Sequence, residues 1–199
     1  MLTGMISDII LLYSPTGGYE DPNYEFLKYI SNQRLLLGSA FGMISIPFVA
    51  FGIAQVNLLV NNHVYKRYIN LIGYSFIVIG VLTHLLFGLM GFYLKLSGDM
   101  TFNYLYVIKT LLGIFSTLTV LLHLIVNVLL IKYFFKEESP FPRWFIWINP
   151  LTIYLLCVGS YIIFPSFGRF AFPAGFNLSY FLFFSTFTFL FYKKTQQIR

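Results

Sequence analysis

Charged side chains are scarce in this sequence. Only 10% of its 199 residues are charged, whereas 58% are hydrophobic, and the mean hydropathy is +0.76. A soluble domain carries about 25% charged residues, so this chain has too few polar groups to cover a globule in water. Its net charge of +6 comes mostly from Lys and Arg in short loops and near the C-terminus. Basic residues so placed predict membrane orientation and not a nucleic-acid partner.

Cysteine and histidine are also rare, which excludes several kinds of site. The single cysteine, Cys157, lies in an apolar run, so neither an intrachain disulfide nor a cysteine-based metal site is expected. An integral-membrane hydrolase of the ceramidase-like kind needs about three histidines around its zinc, with a serine and an aspartate. The chain offers only His63, His84 and His123, and His63 lies in a loop. We therefore expect no metal and no other cofactor. Gly-Xaa-Ser-Xaa-Gly elbows and phosphate-binding loops are absent from the sequence.

Long apolar runs fill most of the chain and predict an all-α polytopic transmembrane bundle of about six helices in one domain, residues 1–199. The central run, Tyr68 to Phe92, is long enough to cross about 30 Å of hydrocarbon as a helix. Four more spans are predicted over residues 35–60, 104–135, 144–164 and 178–192. The first segment, residues 1–13, is short for a span. Pro47 predicts a kink, and the segment 165–177 is expected to fold back at the membrane interface.

The distribution of charge predicts the orientation of these helices. If six segments alternate, most basic residues fall on one side of the membrane, namely Lys66, Arg67, Lys132, Lys136, Arg143, Lys193, Lys194 and Arg199. The positive-inside rule then places both termini in the cytoplasm. The N-terminus lacks a basic region and carries Asp8 in its apolar part, which argues against a secretory signal peptide. We expect an integral membrane protein with membrane lipids as its neighbours.

Several short motifs resemble a family of bacterial six-helix membrane proteins of unknown function. They are Arg34 at the start of the second span, His84 in the third, the stretch from Pro165 to Phe184, and an early pattern formed by Asp8, Leu11, Leu12, Tyr13, Pro15 and Gly17. The resemblance covers nearly the whole chain. It implies a six-helix bundle in the bacterial cytoplasmic membrane. The family has no established activity, so the resemblance implies nothing about mechanism.

Four ionisable residues from four predicted helices come to a similar depth: Asp8, Arg34, His84 and Lys109. Such groups cost on the order of 3 kcal/mol or more each in a bilayer, so they tend to face a cavity or pair with one another. In a ligand site, Arg34 and Lys109 would meet an anionic group while Asp8 balances their charge. His84 would supply an adjustable donor or acceptor. The structural alternatives are an ion pair of Asp8 and an interhelical hydrogen bond of His84.

Two further groups have both a functional and a structural interpretation. Arg169 lies among aromatic residues and prolines at the predicted outer face, where it could hold a phosphate or carboxylate headgroup or anchor the interface. His123 and Asn127 are four residues apart and share one helix face. We interpret them as a structural polar pair.

Four functions remain open. The preferred one is binding of a small amphiphilic or lipidic ligand in an outward-facing polar cavity. The second is an intramembrane enzyme acting on a lipid or isoprenoid, with His84 as acid or base and Asp8 orienting it. The third is proton- or ion-coupled transport, for which the chain is small and lacks duplicated halves, although a homo-oligomer could supply the second half. The fourth is a structural membrane subunit.

Overall fold

The computed structural model describes residues 2–13, 24–96, 102–135 and 142–197, and these ranges contain helices and no strand. The all-α prediction is confirmed. Two short 3-10 helices, Glu25–Lys28 and Arg143–Ile148, accompany eight α-helices. In chain order these are α1 Leu2–Leu12, α2 Asn32–Ser45, α3 Phe48–Leu59, α4 His63–Leu96, α5 Phe102–Phe134, α6 Pro150–Ile163, α7 Pro165–Ala171 and α8 Gly175–Gln197.

Capping residues and prolines set several of these boundaries. The Ser31 side chain accepts a hydrogen bond from the backbone N–H of Arg34 and begins α2. The apolar stretch that follows is divided at Pro47, where a kink was predicted, into α2 and α3. The predicted span 144–164 is likewise divided, because Asn149 caps a new helix that has Pro150 in its first turn.

Three stretches of helix are long and apolar enough to cross a membrane: Asn32–Leu58, His63–Leu96 and Tyr104–Phe134. They match the second, third and fourth predicted spans to within two residues at their C-terminal ends or contain them, and they support a membrane location. Two shorter helices, α1 and α6, are apolar but extend only about 17 and 21 Å at 1.5 Å per residue. The segment after α6 turns back and packs against that helix. A Cβ added at Gly168 of α7 would lie 2.1 Å from the Cα of Tyr161 in α6.

Glycines allow the first helices to pack closely. A Cβ added at Gly38 of α2 would lie 2.8 Å from the Cβ of Leu11 in α1. On α4, a Cβ added at Gly91 would lie 2.6 Å from a methyl group of Leu35. Small residues at such positions let helix backbones approach each other. As a result α2 lies between α1 and α4, while α4 also packs against α3 and α5, and α8 packs against α1 and α6.

Candidate functional site

A cavity of about 180 Å³ lies among the packed helices. Helices α1, α3, α4, α5, α6 and α8 all contribute to its wall. The wall combines apolar and aromatic side chains with a few polar ones, and its described lining residues are Asp8, Leu12, Ile46, Val49, Phe76, Gly80, Thr83, His84, Phe87, Ser116, Thr119, Val120, Tyr154, Pro173, Phe176, Asn177 and Tyr180.

Asp8 is the acidic group of this cavity, and it contacts two other helices. Its Oδ1 lies 3.3 Å from Nε2 of His84 on α4. Its Oδ2 accepts a hydrogen bond of 2.7 Å from Nδ2 of Asn177 on α8. Only 4% of Asp8 is exposed. Three helices distant in sequence therefore place an acid, an imidazole and an amide around one point.

Glycines make room for the two partners of Asp8. A Cβ added at Gly42 of α2 would lie 2.1 Å from Nδ1 of His84, so the imidazole ring rests against bare backbone. A Cβ added at Gly4, one turn before Asp8 on α1, would lie 2.3 Å from Oδ1 of Asn177. Nδ1 of His84 has no hydrogen-bond partner within the described part of the chain. Its Nε2, by contrast, faces the carboxyl group.

Hydroxyl groups from α4 and α5 form a second polar part of the wall. The Oγ1 atoms of Thr83 and Thr119 lie 3.1 Å apart, which joins the two helices. Each of these hydroxyls is also within hydrogen-bond distance of a carbonyl oxygen one turn earlier in its own helix. The buried hydroxyl of Ser116 has no partner among the residues that the structure describes. It is therefore a spare donor and acceptor at the cavity.

Aromatic rings form the remaining wall. Tyr154 of α6 and Phe176 of α8 are stacked with their centroids 4.3 Å apart. Phe76 of α4 packs against Tyr180 of α8 with a centroid distance of 5.4 Å. These rings come from three helices and enclose a largely apolar space beside the polar cluster.

His123 and Asn127 lie behind this aromatic wall and are fully buried. The Nδ2 atom of Asn127 donates to the carbonyl oxygen of His123 at 2.8 Å and lies 3.2 Å from its Nδ1. The Tyr180 hydroxyl lies 3.2 Å from the same imidazole nitrogen. The ring of His123 packs edge-on against Phe176 at 4.7 Å. The structure thus brings His123, Asn127 and Tyr180 together in one buried polar cluster.

Arg34, predicted to line the cavity, is engaged elsewhere. Its Nε donates to the carbonyl oxygen of Ile10 at 2.9 Å and its Nη2 to that of Tyr13 at 2.8 Å. The physical reason is that the last carbonyls of a helix lack partners within the helix, and Arg34 satisfies two of them at the end of α1.

The other two predicted cations do not add to the described wall. Lys109 is half-buried on α5 and is not among the described lining residues. Arg169 belongs to α7, and its side chain lies outside the described part of the structure. Of the four residues expected to converge, the structure brings together Asp8 and His84. Asn177 was missed, and its signal in the sequence is slight: an amide within an aromatic, apolar run.

The described residues contain no group of three or more His, Cys, Asp or Glu side chains that could hold a metal ion. The fold is all-helical, and three stretches of helix are long and apolar enough to cross a membrane. The cavity contains a buried pair of an acid and an imidazole.

The chain belongs to the family of unknown function DUF6796, whose model matches residues 1–194. Neither the curated proteins nor the solved structures gave a match. The resemblance to an uncharacterised family is thereby confirmed, while its bacterial, six-helix character stays a prediction.

Proposed function

We propose that this chain is an integral membrane protein that binds a small amphiphilic or lipidic ligand through the polar cluster of its cavity. In this proposal six segments cross the bacterial cytoplasmic membrane and both termini are cytoplasmic. The three long apolar helices supply three of the spans. The remaining three would be α1, α6 and α8, of which α8 has 23 residues and a length of about 34 Å.

The observation that carries the proposal is that Asp8, a buried acid, borders a cavity whose wall is mostly apolar. Ionisable groups at membrane depth are rare, and they face bundle interiors or cavities where they serve function. Asp8 and Asn177 give such a cavity a polar anchor, and the aromatic rings give it an apolar surface. Few polar groups in a largely apolar pocket are typical of a small-molecule site.

The size of the cavity limits what it can hold. Drug-sized ligands occupy cavities of about 300–1,000 Å³, whereas this one measures about 180 Å³. An apolar cavity of about 150 Å³ takes up benzene. The bound group is therefore small: one polar function with a few carbon atoms, or the end of a longer amphiphile whose chain extends between helices.

Mass spectrometry of the protein purified in mild detergent tests this proposal. We expect a small amphiphile to be released on denaturation of the wild type, and at least tenfold less from Asp8→Asn. The matched control is Ser75→Ala, which removes a half-buried hydroxyl of α4 that donates to the carbonyl oxygen of Leu71 in its own helix and should retain wild-type amounts. Equal recovery of the same compounds from the wild type and Asp8→Asn would contradict a site at Asp8.

The enzyme alternative has one observation for it and one against it. The 3.3 Å contact between Asp8 and Nε2 of His84 is what an orienting carboxylate requires. However, a general base needs its second nitrogen free for substrate, and Nδ1 of His84 rests against the backbone at Gly42. Acid–base catalysis by His84 would require the ring to move. We therefore place ligand binding first.

A further inference from the structure

We infer that the group bound in this cavity is an organic cation: a small ammonium ion or the ammonium head of an amphiphile. This rests on the proposed function and names the ligand class of the same site. It replaces the anionic group that the sequence assigned to Arg34 and Lys109.

The first argument for a cationic ligand comes from the charged side chains that line the cavity. Among the described lining residues there is one carboxyl group, that of Asp8, and neither a lysine nor an arginine. Arg34 uses its guanidinium on two backbone carbonyls at the end of α1. An anionic headgroup would therefore bring a second negative charge toward Asp8 in a poorly hydrated site, where like charges repel strongly.

The second step concerns the charge of His84. If the imidazole carried two protons, the N–H at Nδ1 would be buried against the backbone of Gly42 with no acceptor within the described ranges. A buried donor without an acceptor is unfavourable, and more so on a charged group. The neutral ring, with its proton on Nε2, instead donates to Asp8. Both His84 and Asn177 then orient the carboxylate without neutralising it, which leaves that role to a ligand.

The aromatic wall is the third step. Five rings line the cavity, those of Phe76, Phe87, Tyr154, Phe176 and Tyr180. The face of an aromatic ring attracts a cation within about 6 Å of its centroid, and cages of such rings recognise quaternary ammonium groups. A carboxylate beside several rings supplies charge and polarisable surface together. The nearby Ser116 hydroxyl could accept from an N–H or O–H group of the ligand.

Three probes of nearly the same shape test the charge of the ligand directly. Choline carries a quaternary nitrogen, 3,3-dimethylbutan-1-ol has carbon in its place, and 3,3-dimethylbutanoate is the related anion. Their binding to the full chain in detergent would be measured by titration calorimetry at one fixed pH. We expect choline to bind at least tenfold tighter than the neutral alcohol, and the anion to bind weakest.

Variants then connect the preference for choline to the residues named above. Asp8→Asn should remove this preference while the alcohol still binds, and Phe176→Leu should weaken the binding of choline more than that of the alcohol.

The comparison of the three probes on the wild type needs no variant, so it is decisive even if a variant fails to fold. Equal binding of choline and the alcohol, or tighter binding of the anion, would overturn the cation inference and leave the ligand site standing. If no probe binds but amphiphile still co-purifies and depends on Asp8, the cation inference fails alone. The proposed function fails together with the cation inference only when no probe binds and no Asp8-dependent amphiphile co-purifies.

Discussion

The interior of this bundle contains two histidines, and their surroundings differ. His84 contacts a carboxyl group and borders a cavity. His123 contacts Asn127 and the Tyr180 hydroxyl and has no exposed surface. The first cluster contains an acid, whereas the second has none and is packed among aromatic rings.

This difference indicates separate roles: the His123 cluster contributes to the stability of the fold, and the His84 cluster to the recognition of a ligand. In the His123 cluster three side chains of the protein bond to one another, while Nε2 of His123 and Oδ1 of Asn127 have no hydrogen-bond partner within the described residues. His123 and Asn127 are fully buried, so the loss of either should affect folding. In the His84 cluster the carboxyl group of Asp8 gains two donors but no opposite charge from the described wall. A buried carboxylate is unfavourable without such a charge. That cluster is therefore suited to a partner from outside the chain.

Replacing each histidine by alanine gives the largest expected contrast. His123→Ala should destabilise the protein by about 3–4 kcal/mol, because it leaves a hole among packed rings and leaves Tyr180 without its imidazole partner. His84→Ala should cost less, about 1–2 kcal/mol, because that ring already borders a cavity and its loss removes one of the two donors to the buried Asp8 carboxyl. Thermal unfolding of both variants in the same detergent measures the difference. Equal losses would mean that both histidines are packing residues.

A pair of glycine variants tests how the His84 cluster is positioned. Gly42→Ala puts a Cβ 2.1 Å from the imidazole, so the ring must leave its place beside Asp8. We expect a destabilisation of about 1–3 kcal/mol and loss of the preference for choline. Gly113→Ala on α5 is the control, because its Cβ meets nothing within 4 Å. It should be neutral or stabilising by up to about 1 kcal/mol. Unchanged selectivity in Gly42→Ala would show that the position of the imidazole is irrelevant to binding.

Much of the helical architecture could be predicted from composition and local pattern. Apolar length alone indicates the three long helices, and Pro47 indicates where one of them breaks. The predicted last span, 178–192, is part of α8, which begins earlier, after Pro173. The predicted fifth span failed as a single helix because Asn149 and Pro150 start a new one. That boundary depends on capping, which hydropathy does not register.

The site was only half predictable, because depth in a membrane does not fix the direction of a side chain. Asp8 and His84 converge as their depth allowed, whereas Arg34, expected beside them, bonds to backbone carbonyls of α1. Carbonyl groups are the same in every residue, so no sequence pattern marks them as partners. Asn177 meets Asp8 across 169 positions of sequence. Only the packing of α8 against α1 brings these two together.

Arg34 belongs to neither histidine cluster. Its variants therefore test whether stability can be lost without a change in ligand selectivity. Arg34→Gln removes the guanidinium bonds to the carbonyls of Ile10 and Tyr13, and should destabilise the protein by about 1–2 kcal/mol. The choline preference should stay within twofold of the wild type. Arg34→Lys should recover part of the stability, because one ammonium group can still reach a carbonyl. A large change in selectivity would place Arg34 within the electrostatic reach of the cavity.

The smallest expected effect comes from a polar contact that has neither a histidine nor an acid. Asn57 of α3 donates from its Nδ2 to Oδ1 of Asn70 on α4. Hydrogen bonds between membrane helices average about 0.6 kcal/mol in double-mutant cycles, so a cycle of Asn57→Leu and Asn70→Leu should give a coupling near that value. Thermal unfolding of the two single variants and the double variant provides it. This coupling is the reference for one neutral interhelical hydrogen bond in this bundle. A loss several times larger in His123→Ala then belongs to ring packing, whereas a coupling as large as that loss would assign the stability of the His123 cluster to hydrogen bonding.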